Sequence, residues 1–415
     1  MPFLQSLVSF CTSVTKRAMY IPAFFLERSL LAYSAFTKVD FPAESRDPIK
    51  LWLYHVGTIY AFQWGKIFEK LRICTQLQFI RFLLNSVPVG KESKLFIEDS
   101  RFEHVPIRIY HPKTPSSELR RGFLYMHGGC AVVGSKRTYE LLCRFLARES
   151  DSVVVFLDFR LAPEHQHPAQ LTDCLTGTLY FMNHAKNYGV DPNRIILIGE
   201  SSGGTLVSTI CRELVKKMHV PKVRAQILLY PFLQILDLSL PAHQQNQFGP
   251  ALTMRRAAKL AFTFLDEKLD NVDDMLNNAH IPEIMRMQFK KWISADLIPE
   301  KFKARGYKPP PPVPFSKELY EKVRLYDKTM SSPIQDVDAI IQQLPETYIL
   351  TCEYDIFRDD GLLYKKRLED NGVRVTWNHL EDGFHGVALF IDTGITEFAC
   401  TRSAFEDLLQ FIKKL

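Results

Sequence analysis

Short, almost wholly apolar runs recur along the chain, and stretches with helical periodicity separate them. The runs lie at residues 122–126, 153–157, 195–198, 225–230, 348–352 and 373–377. Apolar runs of this length that alternate with helices are typical of a parallel sheet that is covered on both faces. Residues 105–110 alternate apolar and polar side chains instead, which predicts a half-buried strand at an antiparallel edge. The pattern therefore predicts an α/β fold with a mostly parallel sheet and helices on both faces.

The strand–helix rhythm stops for more than a hundred residues between the runs at 225–230 and 348–352. This stretch mixes helical and loop patterns, and the strand–helix order resumes after it. An inserted helical lid at about residues 236–340 explains the pattern more economically than a separate domain. We therefore predict a catalytic domain over residues 91–415 that carries this lid, preceded by N-terminal apolar and basic helices over residues 1–90.

The N-terminal region is apolar and aromatic but contains charged residues. Within residues 1–37 the apolar pattern is broken at Lys16, Arg17, Glu27 and Arg28. The longest charge-free runs in the first hundred residues, 1–15 and 51–65, have 15 residues each, about 22 Å of helix against a hydrocarbon core of about 30 Å. Neither run spans a bilayer comfortably, and the basic pair follows the first run instead of preceding it as in a secretory signal. Two interpretations remain: an interfacial or re-entrant membrane anchor, or helices that cover the body of the protein.

Residues 47–85 have the spacing of two helices, for which packing against the main domain is the favoured interpretation. The composition, with 46% hydrophobic and 24% charged residues, is that of an ordinary globular protein. A net charge of +6 is too small to indicate nucleic-acid binding. Residues 1–100 hold twelve Lys or Arg against eight Asp or Glu, which suits an anionic membrane surface and a solvated helix face equally. The eight cysteines lie far apart, so no metal site is predicted.

One segment has the composition of a nucleophile elbow. The predicted strand at 195–198 leads directly into Gly-Glu-Ser-Ser-Gly-Gly at 199–204, and a helical stretch follows. Small residues on both sides of Ser201 allow the sharp strand–turn–helix bend that exposes a serine hydroxyl above the sheet. The alternative is a plain turn, but the flanking strand and helix favour a nucleophilic Ser201. Gly199 and Gly203 would support the turn.

A serine nucleophile needs a histidine to take its proton and a carboxylate to orient that histidine. In this architecture the acid and then the histidine follow late strands. Asp355 and His385 occupy the loops after the last two predicted strands. His379 is the weaker candidate because it still belongs to a strand. Asp359 and Asp360 fit better as acids in the first turn of the next helix.

The tetrahedral intermediate of acyl transfer needs backbone N–H donors aimed at its oxyanion. His127-Gly128-Gly129-Cys130 follows the predicted strand at 122–126, and its glycines let the backbone approach a substrate closely. A glycine pair after a strand could also be an ordinary tight turn. In combination with the elbow, the pattern predicts an oxyanion hole formed by Gly128, Gly129 and Ser202, with His127 supporting the loop.

Five motifs in this order resemble the hormone-sensitive-lipase group of α/β hydrolases and, within it, the arylacetamide deacetylase family. The resemblance extends from about residue 40 to the end of the chain. The motifs are His-Gly-Gly at 127–129, Asp-Phe-Arg-Leu-Ala-Pro-Glu at 158–164, Gly-Glu-Ser-Ser-Gly-Gly at 199–204, Tyr-Asp-Ile-Phe-Arg-Asp-Asp-Gly at 354–361 and Glu-Asp-Gly-Phe-His-Gly at 381–386.

The resemblance implies an α/β-hydrolase fold and hydrolysis of esters and amides of apolar groups without a cofactor, by enzymes of the endoplasmic reticulum membrane. Three features depart from the family pattern. Cys130 replaces the third glycine of the usual His-Gly-Gly-Gly motif. Val132 stands where some relatives have a cysteine that pairs with the position of Cys352, so this disulfide is not expected. Residues 1–37 also lack the uninterrupted apolar anchor of the family.

The leading hypothesis is a carboxylic-ester hydrolase in which Ser201 attacks, His385 acts as general base and then acid, and Asp355 orients the imidazole. Its substrate would be an apolar ester or lipid, and its expected location is a membrane, that of the endoplasmic reticulum by family resemblance. The alternative is a non-catalytic lipid-binding or membrane-tethered protein that retains the hydrolase fold.

Overall fold

A computed structural model describes residue 39 and residues 45–217, 220–265, 272–330 and 333–415. The predicted anchor at residues 1–37 lies outside these residues. Within the described ranges, no helix is both long enough and apolar enough to cross a membrane.

The core of the fold is an eight-stranded sheet in the order β1-β2-β4-β3-β5-β6-β7-β8. The strand β2 pairs antiparallel with β1 and β4, and all the other neighbours are parallel. The strands are β1 (Leu95–Phe102), β2 (Val105–Pro112), β3 (Arg120–Met126), β4 (Val153–Leu157), β5 (Val190–Glu200), β6 (Ala225–Leu229), β7 (Glu346–Tyr354) and β8 (Val375–Phe384). The predicted α/β-hydrolase fold, with its antiparallel edge, is thus confirmed.

Helices cover both faces of the sheet because the strands bury apolar side chains on both sides. Leu206 of α5 and Leu363 of α12 belong to the core on one face. Leu146 of α3 and Leu408 of α13 belong to the core on the other face. The helices are α1 (Pro48–Lys70), α2 (Gln76–Asn85), α3 (Glu140–Glu149), α4 (Ala169–His184), α5 (Ser202–Val215), α6 (Pro241–Gln245), α7 (Met254–Leu265), α8 (Val272–Leu276), α9 (Glu283–Phe289), α10 (Lys317–Met330), α11 (Asp338–Ile341), α12 (Arg358–Glu369) and α13 (Ala399–Lys413).

The segment between β6 and β7 contains the helices α6 to α11. Its apolar side chains, among them Met254 and Phe262, form a third core cluster together with Ile356 and Phe357, which follow β7. The segment predicted as a lid therefore packs on the loop that follows Asp355.

The N-terminal helices α1 and α2 pack against the rest of the protein. The ring of Tyr54 lies 4.8 Å from that of Phe390, edge to face. Asp47 accepts a hydrogen bond from the backbone N–H of Ala399 at 2.7 Å. These contacts agree with the favoured interpretation of residues 47–85 as helices packed on the main domain.

The strand β8 is longer than its sequence pattern predicts. The apolar run ends at Trp377, whereas the strand continues to Phe384. Pairing with β7 sustains this extension, with a register shift between Cys352 and Tyr354. Residues 381–384, predicted as part of a loop, therefore belong to β8, and His385 follows the strand directly.

Candidate active site

Ser201 occupies a strained turn between β5 and α5. Its φ of 54° and ψ of −125° lie in a region that residues other than glycine rarely adopt. A Cβ atom on Gly199 would collide with the carbonyl group of Gly203, and one on Gly203 would collide with the carbonyl oxygen of Met126. The two glycines are therefore required by the close approach of backbone segments, which holds Ser201 at the N-terminus of α5.

The structure brings Ser201, His385 and Asp355 into one hydrogen-bonded chain. The Oγ atom of Ser201 lies 2.9 Å from Nε2 of His385. The Nδ1 atom of His385 lies 2.9 Å from each carboxylate oxygen of Asp355. Asp355 also accepts a hydrogen bond from the N–H of Phe357 at 2.9 Å, which fixes the carboxylate. With the imidazole proton on Nδ1, Nε2 is free to accept the hydroxyl proton of Ser201.

The surroundings of His385 favour its protonated form. Burial alone would lower the pKa of His385, but the charge of Asp355, the hydrogen bond from Nδ1 and the charge of Glu200 outweigh it, so the pKa is raised. An imidazole that holds a proton more strongly is a stronger base towards a serine hydroxyl. The site is therefore suited to proton transfer from Ser201.

Asp359 and Asp360, the weaker candidates for the acid, lie in the first turn of α12 as predicted. Both are fully buried and bind backbone of the segment after β6. Asp359 accepts from the N–H of Ala242 at 2.7 Å, and Asp360 accepts from the N–H of Leu233 at 2.9 Å. Burial raises the pKa of Asp360 to about 8. Asp359 thus ties the predicted lid to α12, and Asp360 fixes the segment that leads into the lid.

His379, the weaker candidate for the base, lies inside β8 and is not in the hydrogen-bonded chain. Its Nε2 atom is 3.3 Å from Glu353 and 3.6 Å from Glu381, a grouping in which all three ligand atoms lie within 4.8 Å of one another. Such a trio could hold a metal ion, but the other oxygen of Glu353 is already paired with Arg305 at 3.0 Å and Arg358 at 2.8 Å. We therefore assign no metal to it.

The predicted oxyanion loop lies beside the elbow. The N–H of Cys130 donates to Oγ of Ser202 at 2.8 Å, which joins the loop to the start of α5. As the first residue of α5, Ser202 has an N–H without a partner inside the helix. Gly129 has a φ of 78°, a left-handed conformation that glycine adopts without strain. The N–H groups of Gly129 and Ser202 therefore remain candidates for the oxyanion hole.

The structure corrects the prediction for Gly128. Its N–H donates to Oε1 of Glu200 at 2.6 Å, so this donor is occupied by a buried carboxylate. A Cβ atom at position 128 would collide with the same oxygen, which explains the glycine. His127 is buried, stacks on Phe159 at 4.2 Å and has its pKa lowered to about 4 by burial. It supports the loop as a neutral side chain.

Glu200 is a residue whose role the sequence analysis missed. It is buried, and it accepts hydrogen bonds from the N–H of Gly128 and from the hydroxyl of Tyr139, both at 2.6 Å. Burial raises the pKa of Glu200, while these bonds, the charge of His385 and a bond from Tyr230 oppose the rise. Its position directly before Ser201 in the sequence was the one signal that could have indicated this role. Glu200 links the glycine loop to the elbow and adds negative charge near His385.

Replacing Glu200 with glutamine should move the acidic limb of the kcat/KM profile to lower pH. A general base must be neutral, so activity falls as the pH drops through the pKa of His385. Removing the charge at position 200 takes away one cause that raises this pKa. The profile should be measured with a neutral ester from about pH 5 to pH 9, on both sides of an ordinary histidine pKa. Glu98→Gln, on the exposed side of β1, is the control, and an unshifted limb in Glu200→Gln would contradict the assigned electrostatic role.

Arg81 of α2 braces the segment that follows the glycine loop. Its Nε donates to the carbonyl oxygen of Val132 at 2.8 Å, and one terminal nitrogen donates to that of Ala162 at 2.7 Å. Its guanidinium also pairs with Glu164 at 2.6 Å. Sequence reasoning did not identify Arg81, because it lies about fifty residues before the loop that it holds.

Cys130 adopts a conformation that favours glycine. Its φ is 54° and its ψ is 25°, in the left-handed region. Burial raises the pKa of the thiol to about 12, so Cys130 is not a thiolate nucleophile. Cys352, the potential disulfide partner that the family suggested, is a free buried cysteine.

Replacing Cys130 with glycine should preserve or improve turnover. A left-handed conformation costs a residue with a Cβ atom about 1–2 kcal/mol, partly offset by the greater freedom of glycine in the unfolded chain. We therefore expect the free energy of unfolding to rise by up to about 1 kcal/mol, and kcat/KM to change by less than the ~10²-fold effect of one oxyanion donor. Chemical denaturation and ester hydrolysis measure the two quantities. A collapse of activity would mean that the thiol has a chemical role.

An apolar cavity adjoins the candidate nucleophile. The open space within it and its solvent-filled mouth is about 610 Å³, and an overlapping cavity with about 500 Å³ of such space is lined by Ser201 itself. Both are bounded by the glycine loop at Cys130 and by α7, and both are lined by Phe232 and Ile235. The first is also lined by Leu206, Phe262, Phe264 and Leu265. Its lining is almost wholly apolar. The cavity can hold an apolar acyl or aryl group next to Ser201.

The sequence and the fold were compared with those of known proteins. A family model described as alpha/beta hydrolase fold matches residues 123–286 and 311–389. The human protein arylacetamide deacetylase-like 4 is 42% identical over 394 residues, covering 95% of this chain and 97% of that protein. Rat arylacetamide deacetylase is 35% identical over 375 residues, covering 87% and 92%.

Solved structures show the same fold. The crystal structure of DphMB1 has a TM-score of 0.62 at 25% identity and covers 81% of this chain and 91% of that one. A thermostable esterase from Pseudomonas putida ECU1011 has a TM-score of 0.60 at 20% identity and covers 85% and 96%.

Proposed function

The chain belongs to the arylacetamide deacetylase family of α/β hydrolases, and we propose that it is a serine hydrolase that cleaves carboxylic esters of apolar groups. The observation that carries this proposal is the continuous hydrogen-bonded chain from Ser201 through His385 to Asp355. Each of its links has the length that general-base activation of a serine requires.

In the proposed reaction, His385 takes the hydroxyl proton as Ser201 attacks the ester carbonyl carbon. The N–H groups of Gly129 and Ser202 stabilise the oxyanion of the tetrahedral intermediate. The imidazolium, held by Asp355, then returns its proton to the leaving alcohol, and an acyl group remains on Ser201. Water deprotonated by His385 releases the acid in the second half.

The apolar lining of the cavity beside Ser201 supports a substrate with an aliphatic or aryl acyl group. The segment predicted as a lid at 236–340 supplies Phe262, Phe264 and Leu265 to this lining. We propose that this segment selects the acyl group by its size. Apolar contacts discriminate between esters of different size, but they do not recognise polar groups on the substrate.

The test is hydrolysis of nitrophenyl esters of increasing acyl length by the purified full chain, with fluorophosphonate labelling mapped by mass spectrometry. We expect hydrolysis of the nitrophenyl esters and fluorophosphonate label on Ser201. Intact protein with neither turnover nor label would overturn it. If, in addition, wild type and Ser201→Ala bound lipid equally, the non-catalytic lipid-binding alternative would be supported.

We also propose that the protein associates with a membrane through residues 1–65, at the endoplasmic reticulum by analogy with its family. Exposed apolar side chains on and around α1 and α2 support this proposal, since each can be buried in a bilayer surface at ~25 cal/mol per Å². They include Ile49, Leu53, Trp64, Ile73 and Phe82. Fractionation should find the protein in the membrane pellet, with release by carbonate or high salt if the anchor is interfacial. Complete recovery in the soluble fraction would contradict it.

A further inference from the structure

A second cavity lies on the opposite side of α7 from the candidate active site. The open space within it and its solvent-filled mouth is about 840 Å³, and it is bounded by α1, α2, α7 and the segment that follows the glycine loop. Three cationic side chains line it: Lys66, Arg256 and Lys259. Among the described residues that line it there is no aspartate or glutamate. Glu69, which does not line the groove, accepts from the N–H of Gln76, which does, at 3.4 Å.

Arg256 is the least exposed of these three cations. One terminal nitrogen donates to the carbonyl oxygen of Ala251 at 2.9 Å, and the guanidinium lies 4.7 Å above the ring of Phe62. No carboxylate of the described residues forms an ion pair with it. Burial lowers the pKa of Arg256 to about 10, which reflects the cost of a desolvated cation. A bound anion would offset that cost, because a buried charge is stabilised by an opposite charge.

The other side of the groove is apolar. Leu77 and Ile80 of α2, Val132 after the glycine loop and Leu260 of α7 line it. A small inorganic anion would pair with the cations but would leave the apolar surface exposed to water. A ligand with an anionic head and one alkyl chain would contact both the cations and the apolar surface.

We propose that this groove is a binding site for a free long-chain carboxylate, whose head group pairs with Arg256 and whose chain lies along Leu77 and Ile80. The site is distinct from the cavity at Ser201, since α7 presents Ala261 and Leu265 to that cavity and Arg256 and Lys259 to the groove. The inference goes beyond ester hydrolysis and can be tested on a chain that lacks the nucleophile.

The experiment measures the affinity of the full-length Ser201→Ala variant for dodecanoate and for dodecanol. Each ligand, kept below the concentration at which it forms micelles, displaces a bound fluorescent single-chain fatty acid. The two ligands share the chain and differ in charge, so their difference isolates the anionic contact from apolar binding at either cavity. Arg256→Met keeps a long side chain over Phe62 and removes the charge. Arg255→Met, its neighbour on α7 that pairs with Asp273 and does not line the groove, is the matched control.

We expect Arg256→Met to weaken dodecanoate binding by about 10- to 100-fold, the range for a hydrogen bond to a charged group, and to leave dodecanol within threefold. Arg255→Met should leave both ligands unchanged. If Arg256→Met unfolds, Lys259→Met should still weaken dodecanoate selectively, by about two- to fivefold.

Four results would overturn the proposal. Two concern the variants: Arg256→Met lowers the affinity for dodecanoate and dodecanol equally, or Arg255→Met lowers the affinity for dodecanoate as much as Arg256→Met does. The other two concern the ligand: inorganic phosphate alone displaces the probe, or dodecanoate shows no saturable binding to the full chain.

Discussion

Replacing Ser201 with alanine should lower kcat for a nitrophenyl ester by about 10⁵- to 10⁶-fold, the scale of losing the nucleophile from a triad that acts as a unit. The hydroxyl is the atom that would bond to the acyl group, and His385 has nothing else to deprotonate in the first step. Alanine fits the turn as well as serine does, so folding should be preserved. Burst kinetics with the wild type, and their absence in the variant, would identify the acyl-enzyme.

The neighbouring serine provides a matched control. Ser202→Ala retains the backbone N–H at the start of α5 and loses only the oxygen that accepts from the N–H of Cys130. We expect kcat to fall by no more than the ~10²-fold scale of a single oxyanion contact. Comparable losses in Ser201→Ala and Ser202→Ala would contradict the assignment of the nucleophile.

Replacing Asp355 with asparagine should lower kcat by about 10⁴-fold while the protein remains folded. The carboxylate accepts from Nδ1 of His385, which keeps the proton on that nitrogen and leaves Nε2 facing Ser201. An amide that donates to Nδ1 would favour the other tautomer, in which Nε2 carries the proton and accepts none. Steady-state kinetics with a circular-dichroism melt would separate this loss from unfolding.

Asp359→Asn tests the same assignment from the other side. The side chain of Asp359 binds the N–H of Ala242 and the guanidinium of Arg358. Its replacement should therefore lower the melting temperature, because it weakens a buried ion pair, and should affect kcat much less than Asp355→Asn does. A ~10⁴-fold loss in Asp359→Asn, with Asp355→Asn nearly active, would reverse the choice of acid.

The order of the chemistry-bearing motifs could be predicted from the sequence because each depends on local patterns. An apolar run that ends in a small-residue turn identifies the elbow at Ser201, and late strands followed by loops identify Asp355 and His385. The parallel sheet follows from the same apolar runs. These features rely on residues close together in the chain, where periodicity and turn composition carry information.

Contacts between distant segments could not be predicted in this way. The bond between Gly128 and Glu200 joins residues 72 positions apart, and it removes one of the expected oxyanion donors. The extension of β8 to Phe384 depends on pairing with β7, since polar residues interrupt its own pattern. The buried roles of Asp359 and Asp360 likewise require knowing that the segment after β6 folds back onto α12.

The bonds made by Arg81 determine where this chain can be divided. A shortened protein that begins at residue 91 would contain the elbow, the acid and the histidine, yet it would lose the guanidinium that holds the carbonyl groups of Val132 and Ala162. Both carbonyl groups would then depend on water, and the loop that carries Gly129 would gain freedom. An N-terminal truncation made to improve solubility should therefore remove only residues that precede α1. The helices α1 and α2 should be kept, because α2 carries the side chain that holds the segment after the glycine loop.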